Sequence, residues 1–195
     1  MKLSISNIGW APNDDNAVYQ LMKKYGYSGL EIAPTRIFPV SPYDKLEEAN
    51  VWSVELNKDY EFHVPSMQSI WFGRQEKIFG TEEERQILID YTKKAIDFAH
   101  IIGCKNLVFG CPRNRVFPED GDWNVAIDFF RELGEYALLK GTVIGMEANP
   151  PIYNTNFIND TNSAIELIRQ VNSEGFKLNL DVGTMIYNGE STSEL

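Results

Sequence analysis

The sequence has little positive charge: 18 Lys and Arg stand against 28 Asp and Glu, which gives a formal net charge of −10 and a pI near 4.7. A protein that binds nucleic acid needs clustered Lys and Arg to neutralise phosphates. Here the basic residues are scattered along the chain. An anionic membrane surface would repel so acidic a chain for the same reason. We therefore expect no nucleic-acid partner and no membrane partner.

Other features that mark particular classes of protein are also missing. There is no run of 18 apolar residues, so the sequence offers no candidate transmembrane helix. The N-terminal segment MKLSISNIGW alternates apolar and polar residues, which is typical of a β-strand and not of a signal peptide. The only cysteines are Cys104 and Cys111, and without an export signal two reduced thiols are favoured over a disulfide. We expect a cytoplasmic protein.

The sequence does contain a regular alternation of short apolar runs with longer amphipathic segments. The apolar spacing predicts helices over 16–26, 81–103, 122–141 and 160–175. The second of these begins with a capping box, because Thr81 is followed three residues later by Glu84. Strands are predicted at 2–8, 29–33, 63–70, 106–110, 143–148 and 177–183. Strand starts separated by roughly 27 to 43 residues are typical of repeated βα units around a parallel sheet.

Two architectures fit such units, a doubly wound open sheet and a (β/α)₈ barrel. A nucleotide-binding open sheet carries a Gly-rich turn after its first strand, and the segment SNIGWAPND has none. Polar residues instead follow nearly every predicted strand, as expected of a barrel whose strand ends converge on one site. A full barrel needs about 250 residues. We therefore predict one domain over residues 1–195, an incomplete (β/α)₈ TIM barrel with about six strands and five helices.

An incomplete barrel has a physical consequence at its edges. Without the last two βα units, the first and sixth strands would expose unpaired backbone N–H and C=O groups. We expect the isolated chain to aggregate or to pair with a second copy as a homo-oligomer. The final segment NGESTSEL has no strand pattern, so the chain is expected to stop in the loop or helix that follows strand six.

Two carboxylates stand at the ends of consecutive predicted strands. Glu147 ends the run VIGME, and Asp181 follows the run KLNL. Adjacent parallel strands lie ~5 Å apart, so the two carboxylates could bind one divalent cation. Two hard oxygen donors suit Mg²⁺ or Mn²⁺, and a supporting His would extend the choice to Zn²⁺ or Co²⁺. The spacing alone equally allows both acids to be N-caps or loop acids at strand–helix junctions.

Four polar residues near the same strand ends are candidate substrate contacts. Gln68 ends the third strand as a neutral donor suited to sugar hydroxyls. Arg113 and Asn114 follow the fourth strand, where an Arg could bind a phosphate or carboxylate bidentately. A surface Arg113 paired with a nearby acid is the alternative. Asn149 lies beside Glu147 and precedes two prolines, which hold a loop extended.

Several segments of the chain together resemble sugar phosphate isomerases and epimerases of the xylose isomerase-like TIM-barrel superfamily, especially members found in bacterial surface-polysaccharide gene clusters. The segments are MKLSISNIGW, GLEIAPTRIFP, MQSIWFG, LVFGCPRNR, MEANPPIYNTNF and LNLDVGTMIYNGE. The resemblance covers the whole chain. Its most specific parts are the E-x-N-P-P loop that starts at Glu147 and the L-D-x-G strand end that contains Asp181.

This resemblance implies one divalent metal ion (Mn, Mg, Zn or Co) held by a Glu, an Asp, a His and a Glu at the ends of strands five to eight. Glu147 and Asp181 match the first two ligands. By the same analogy Glu147 is also the catalytic acid/base that exchanges a proton with the carbon next to a carbonyl, while the metal stabilises the enediolate charge. Thr184 stands where many relatives carry a substrate-contacting His and is a further candidate contact.

Endonucleases share this barrel but need a histidine-rich site with several zinc ions and a basic face for DNA. The chain has two histidines. His63 begins a predicted strand and His100 lies inside a predicted helix, so neither is expected to be a metal ligand. Together with the net charge of −10, this excludes the endonuclease branch.

The leading hypothesis from the sequence is a metal-dependent isomerase or epimerase that acts on a small sugar or sugar phosphate through an enediolate. A different class remains open, a non-catalytic carbohydrate- or protein-binding barrel module with an incomplete metal site. A metal-dependent lyase or dehydratase with the same enediolate chemistry is the third hypothesis. Enzymatic activity is expected of a full-length form, with a small-molecule sugar as its substrate.

Overall fold

The computed structural model describes residues 2–191 and contains all six strands that the sequence predicts. They are β1 Ser4–Ser6, β2 Gly29–Glu31, β3 Ser66–Met67, β4 Asn106–Phe109, β5 Val143–Glu147 and β6 Phe176–Asn179. Each strand is shorter than its predicted segment. The prediction for β6 is wrong at its end, because Asp181 leaves the strand to cap the helix that follows.

Helices alternate with these strands throughout the described residues. They are α1 Asp15–Lys24, α2 Pro34–Ile37, α3 Leu46–Tyr60, α4 Glu82–Ile101, α5 Trp123–Leu139, α6 Thr161–Val171 and α7 Val182–Asn188. The predicted capping box starts α4, since the side chains of Thr81 and Glu84 each accept a hydrogen bond from the other's backbone N–H. Apolar spacing does not reveal α3, because only Ala49 and Leu56 of its side chains are buried.

The strands pair in the order in which they occur along the chain, and every pairing is parallel. One sheet has the order β1–β2 and the other β3–β4–β5–β6. Two isolated parallel bridges, Gly29 with His63 and Ile32 with Met67, connect β2 to the segment that contains β3. Sequential parallel order is the order of a barrel. The predicted fold class is confirmed: an α/β, TIM-barrel architecture that is incomplete in this chain.

A cluster of buried aromatic side chains lies between β4–β6 and the helices outside them. Phe109 of β4 meets Phe130 of α5 with ring centroids 4.9 Å apart, and Phe130 stacks on Phe176 of β6 at 4.8 Å. All three rings are fully buried. Burying a Phe side chain contributes about 1.5–3 kcal/mol, so this cluster fixes the strands from the outside and leaves their inner faces for other residues.

Two further predictions concern thiols and membranes. Cys104 and Cys111 are free cysteines, as the sequence indicates. Burial raises the pKa of each thiol to about 12, so neither is a reactive thiolate near neutral pH. Between residues 2 and 191, no helix combines the length and the apolar character needed to cross a membrane.

Candidate active site at the carboxyl ends of the strands

Strand alternation explains why polar side chains gather on the inner face. Ile144 and Met146 of β5 are fully buried against the helices, so the alternate residue Glu147 lies on the opposite face of the strand. In β6 the same alternation places buried Phe176 on the face toward the helices and Asn179 on the inner face. The register pairs Glu147 directly with Asn179. The last residues of the two strands therefore lie side by side on the inner face of the sheet.

A cavity of about 460 Å³, which we call the first cavity, opens at these strand ends. Its size is within the range of small-molecule sites, about 300–1,000 Å³. The lining comes from the ends of β2 to β6 and the loops after them: Glu31, Gln68, Ser69, Val108, Gly110, Cys111, Pro112, Glu147, Asn149, Tyr153, Asn179 and Asp181. The fold thus brings together four residues that the sequence singles out, Gln68, Glu147, Asn149 and Asp181.

The carboxylate of Glu147 is held in one direction by two asparagines. Asn149 donates from Nδ2 to Oε1 over 3.2 Å, and Asn179 donates from Nδ2 to Oε2 over 3.0 Å. Asn106 of β4 in turn donates to the Oδ1 atom of Asn179 at 3.0 Å, which fixes the orientation of that amide. A carboxylate has about four lone-pair sites. Each oxygen of Glu147 therefore keeps capacity to bind a cation or to accept a proton.

Burial and the charges of two neighbouring acids both raise the pKa of Glu147. Desolvation raises the pKa of its carboxyl group, and the charges of Asp181 and Glu31 raise it further. The hydrogen bond from Asn149 and the charge of Arg115 lower that pKa without cancelling the rise. A carboxylate with a raised pKa is a better base near neutral pH than an ordinary one. It also lies in a place where added positive charge would be favourable.

Gly110 keeps the space in front of this carboxylate open. A Cβ atom at position 110 would lie 3.2 Å from Oε1 of Glu147 and 3.3 Å from Oδ1 of Asn149. Both separations are closer than ordinary van der Waals contact. The absence of a side chain therefore leaves the Glu147 carboxylate accessible from the first cavity.

Asp181 lines the same cavity and also caps α7. Its Oδ1 accepts a hydrogen bond from the backbone N–H of Gly183 at 2.8 Å, and its Oδ2 lies 2.9 Å from Oγ1 of Thr184. The N-cap arrangement that the sequence allowed is therefore present. It does not use all the lone pairs of the carboxylate. A ligand role for Asp181 stays a prediction that capping does not contradict.

A second group of polar residues stands on the opposite wall of the first cavity. Gln68 donates from Nε2 to Oε1 of Glu31 at 2.8 Å and lies 2.6 Å from Oγ of Ser6. Ser66 donates to the other oxygen of Glu31 at 2.6 Å. The end of β2 thus contributes a third carboxylate to this cavity, held in place by two hydrogen bonds. Both N–H groups of the Gln68 amide are therefore donated to Ser6 and Glu31, and its carbonyl oxygen is left to accept from a ligand.

Arg115 and Asn179 are site residues that the sequence does not single out, and Arg115 is the more deeply buried of the two. Its side chain is fully buried, and its guanidinium donates to the backbone carbonyl of Glu147 at 3.0 Å and to Oδ1 of Asn149 at 2.7 Å. Burial lowers the pKa of Arg115 to about 10, so it remains charged. Since a guanidinium only donates, it forces the Asn149 amide to turn its NH₂ group toward the carboxylate of Glu147. No pattern distinguishes Arg115 from Arg113 in the sequence, because only the loop path buries one of them.

Three predicted substrate contacts lie outside the lining of the first cavity. Arg113 is exposed and lines a neighbouring cavity of about 530 Å³, which we call the second cavity. Asn114 also lines the second cavity, but it is buried and donates to the backbone carbonyls of two residues in the preceding loop. Thr184 is buried, with its hydroxyl 3.0 Å from the carbonyl oxygen of Ala148. Substrate contact by these three residues stays a prediction.

The first cavity has part of what a divalent metal ion needs. Glu147 and Asp181 place carboxylate oxygens on one cavity, and such donors suit hard cations. Within the described part of the chain, no group of three or more His, Cys, Asp and Glu side chains is arranged to hold a metal ion. His63 and His100 are both exposed and lie outside the first cavity. The residues present therefore fit two positions of a coordination sphere.

Solved structures with the same fold include three proteins described by their action on sugars. The 3-keto-D-glucoside 4-epimerase YcjR from E. coli matches all of this chain with a TM-score of 0.74 and 19% identity. D-psicose 3-epimerase from Clostridium cellulolyticum H10, solved with D-tagatose, also matches all of it with a TM-score of 0.76 and 15% identity. A protein from Anabaena variabilis, described as a sugar phosphate isomerase/epimerase, matches 99% of the chain with a TM-score of 0.70 and 20% identity.

These similarities establish the fold and a difference in length. The chain covers 73%, 68% and 67% of the three proteins respectively. No curated protein matches it by sequence. The model of one family, the xylose isomerase-like TIM barrel, matches residues 19–194. Since this match spans most of the sequence, the chain belongs to the xylose isomerase-like TIM barrel family.

Proposed function

We propose that the protein is a metal-dependent isomerase or epimerase of a small sugar or sugar derivative, and that the reaction passes through an enediolate. The observation that carries the proposal is the setting of Glu147. A partly buried, doubly hydrogen-bonded carboxylate with a raised pKa shares a sugar-sized cavity with a second carboxylate, Asp181. Perturbed acids in a cleft are candidate catalytic groups. The sugar-directed descriptions of proteins with the same fold support the proposal.

In this proposal Glu147 performs the proton transfer. Its carboxylate accepts the proton of the carbon next to the sugar carbonyl, and the C–H electron pair moves to give an enediolate. Return of this proton from Glu147 to the former carbonyl carbon, while the hydroxyl proton passes between the two oxygens, gives an isomer. In an epimerisation Glu147 keeps the abstracted proton, and a second acid on the other face, a water molecule or a further side chain, protonates the original carbon. The raised pKa of Glu147 suits both acceptance and return of the proton near neutral pH.

Glu147 and Asp181 would hold the metal ion from adjacent strand ends. A bound divalent ion supplies Lewis-acid stabilisation for the oxygen charge that develops in the enediolate. Gln68 would orient the substrate by accepting a hydrogen bond from a sugar hydroxyl at its amide oxygen, with its two N–H groups fixed on neighbouring side chains. Asn149, fixed by Arg115 and bonded to Oε1 of Glu147, would keep the base aligned with the reacting carbon. Alignment of this kind is a large part of enzymatic rate enhancement.

The alternative function is a non-catalytic barrel module that binds a carbohydrate or a protein. It is supported by the open cavity lined by polar side chains, which would serve the binding of a carbohydrate without any chemical step. A lyase or dehydratase would use the same Glu147 chemistry with a different fate for the enediolate. Homo-oligomer formation and a cytoplasmic location stay predictions.

A turnover screen tests the proposed function directly. The intact natural protein is freed of metal with a chelator, reloaded separately with Mn²⁺, Mg²⁺, Zn²⁺ or Co²⁺, and incubated with neutral and phosphorylated aldoses and ketoses. We expect one substrate to give an isomer of equal mass with at least one metal and none after chelation. Saturable sugar binding with no isomeric product under any metal would favour the binding module. Loss of water from the sugar would identify a lyase or dehydratase.

A further inference from the structure

The two neighbouring cavities carry opposite charges. The first cavity is lined by three carboxylates, those of Glu31, Glu147 and Asp181, and the described part of the chain contributes no Lys or Arg to it. The second cavity is lined by Arg74 and Arg113, and among residues 2–191 no Asp or Glu belongs to its lining. This arrangement is notable in a chain in which acids outnumber basic residues, 28 to 18. The two cavities share Ser69, Cys111 and Pro112 and therefore lie side by side.

The two arginines of the second cavity differ in what occupies their guanidinium groups. Arg74 forms a two-point ion pair with Glu76, at 3.0 and 2.5 Å, and lies 5.0 Å from the ring centroid of Tyr91. The Arg113 side chain has no hydrogen bond or ion pair to any residue between 2 and 191. The backbone carbonyl of Arg113 accepts from the ammonium of Lys77, which positions the loop without using the guanidinium. Arg113 is thus a positioned, exposed cation with its donors available.

The walls of the second cavity are built and do not depend on a ligand for their shape. Asn114 ties its two loops together by donating to the carbonyls of Arg74 and Glu76 at 3.2 and 2.8 Å. Ser69 and Cys111, which line both cavities, have positive φ angles of 55° and 42°. Residues other than glycine rarely adopt a positive φ angle, so the surrounding structure must hold these two in that conformation. The relative position of the two cavities is therefore fixed by the fold.

We propose that the second cavity binds an anionic group, a phosphate or a carboxylate, on the same sugar whose carbonyl end lies in the first cavity. This rests on the proposed isomerase or epimerase function and narrows its substrates to anionic sugar derivatives. Arg113 supplies the planar donor pair that both anions prefer. The carboxylates of the first cavity repel the anion. The two cavities together impose one orientation, with the anionic end at Arg113 and the reacting end at Glu147.

Equilibrium binding measured by calorimetry tests this without requiring turnover. The intact natural protein is titrated with D-fructose, D-fructose 6-phosphate, D-fructuronate and inorganic phosphate. Arg113→Gln is the test variant. Arg169→Gln is the matched control, because Arg169 is exposed on α6 and its substitution removes the same charge away from both cavities. Thermal unfolding checks that both variants are folded, as expected for exposed positions.

We expect fructose 6-phosphate, fructuronate or both to bind about tenfold more tightly than fructose in the wild type and in Arg169→Gln. Arg113→Gln should reduce this preference to about twofold and leave the fructose affinity unchanged. The preference should also shrink as salt is raised, because Arg113 is exposed. The two anionic ligands separate a phosphate-bearing substrate from a sugar acid. Inorganic phosphate should bind much more weakly than the preferred anionic sugar, since it reaches only one cavity.

Four results would overturn the proposal: no preference for an anionic sugar, equal losses in Arg113→Gln and Arg169→Gln, a parallel loss of fructose affinity in Arg113→Gln, or inorganic phosphate binding as tightly as the preferred sugar. Failure of the proposed function has a different signature. An Arg113-dependent preference without isomerisation of either anionic sugar would retain the anion site and remove the function. Isomerisation of an anionic sugar with the wild-type kcat/KM in Arg113→Gln would retain the function and remove the anion site.

Discussion

The first and second cavities are neighbours, but their charged groups differ in burial and in hydrogen bonding. In the first, the carboxylate of Glu147 is partly buried, bonded to two asparagines and surrounded by further acids. In the second, Arg113 is exposed and its guanidinium has no partner within residues 2–191. Hydrogen bonds therefore hold the Glu147 carboxylate in place, whereas no residue between 2 and 191 holds the guanidinium of Arg113.

This difference indicates a division of roles. A group that takes part in proton transfer must be aligned to within a fraction of an ångström, which requires rigid support. A group that attracts an anion can act from an exposed, solvated side chain, since electrostatic attraction is long-ranged. The two arginines that follow β4 illustrate the contrast, because buried Arg115 supports the first cavity and exposed Arg113 faces the second. The predictions below test this division.

The largest expected effect is on turnover when the supported carboxylate is lost. Glu147→Gln keeps the size of the side chain but removes its charge and basicity, and general base catalysis is worth about 10²–10⁴-fold. We expect kcat with the substrate found in the screen to fall by about that factor. Glu135→Gln, at an exposed position on α5, is the control and should retain wild-type turnover. A kcat within about threefold of wild type for Glu147→Gln would remove the acid/base role.

The second effect is on stability and compares the two arginines directly. Arg115→Ala leaves a void and strips the donors from the Glu147 carbonyl and from Oδ1 of Asn149. We expect the free energy of unfolding to fall by about 2–4 kcal/mol. Arg113→Ala should change it by less than about 0.5 kcal/mol. Urea denaturation of both variants provides the measurement, and equal losses would contradict the division between supported and free groups.

The third effect separates the two roles of Asp181. In Asp181→Asn, Oδ1 can still cap Gly183, and the new NH₂ group can donate to Oγ1 of Thr184 while that hydroxyl donates to Ala148. Stability should therefore change by less than about 0.5 kcal/mol. If Asp181 is also a ligand, Mn²⁺ affinity measured by calorimetry should fall about tenfold or more. Unchanged affinity would leave Asp181 as a helix cap alone.

The smallest effect is the pH dependence of stability in the metal-free protein. The pKa of Glu147 is raised above its unfolded value by burial, so folding favours the protonated form. The corresponding stability is fully present below the unfolded pKa and is lost as pH rises through the folded pKa. Urea denaturation across this window, with chelator present, should show the decline in the wild type and not in Glu147→Gln. The same decline in both proteins would assign it to another group.

Much of this arrangement could be predicted from the sequence because it follows from periodicity. Short apolar runs located all six strands, and the strand ends placed Glu147, Asp181 and Gln68 on one cavity. Periodicity does not predict the path that a loop takes. It could not predict that the loop after β4 buries Arg115, nor that Thr184 turns its hydroxyl to a backbone carbonyl.

Strand register was equally hidden in the sequence. The pairing of Glu147 with Asn179 and the bonding of Asn106 to Asn179 depend on how three separate segments align. A shift of one residue would turn these side chains to the opposite face. The support of the carboxylate is therefore a property of the assembled sheet, whereas the carboxylate itself is visible in the sequence.

The most direct test of the central claim follows the proton that Glu147 is proposed to move. The metal-loaded intact protein is incubated in D₂O with its sugar, and deuterium at the carbon next to the carbonyl is measured by NMR. We predict incorporation with the wild type and with Glu135→Gln, and none above background with Glu147→Gln at matched metal content. Deuterium incorporation at the wild-type rate in Glu147→Gln would contradict the assignment of Glu147 as the acid/base.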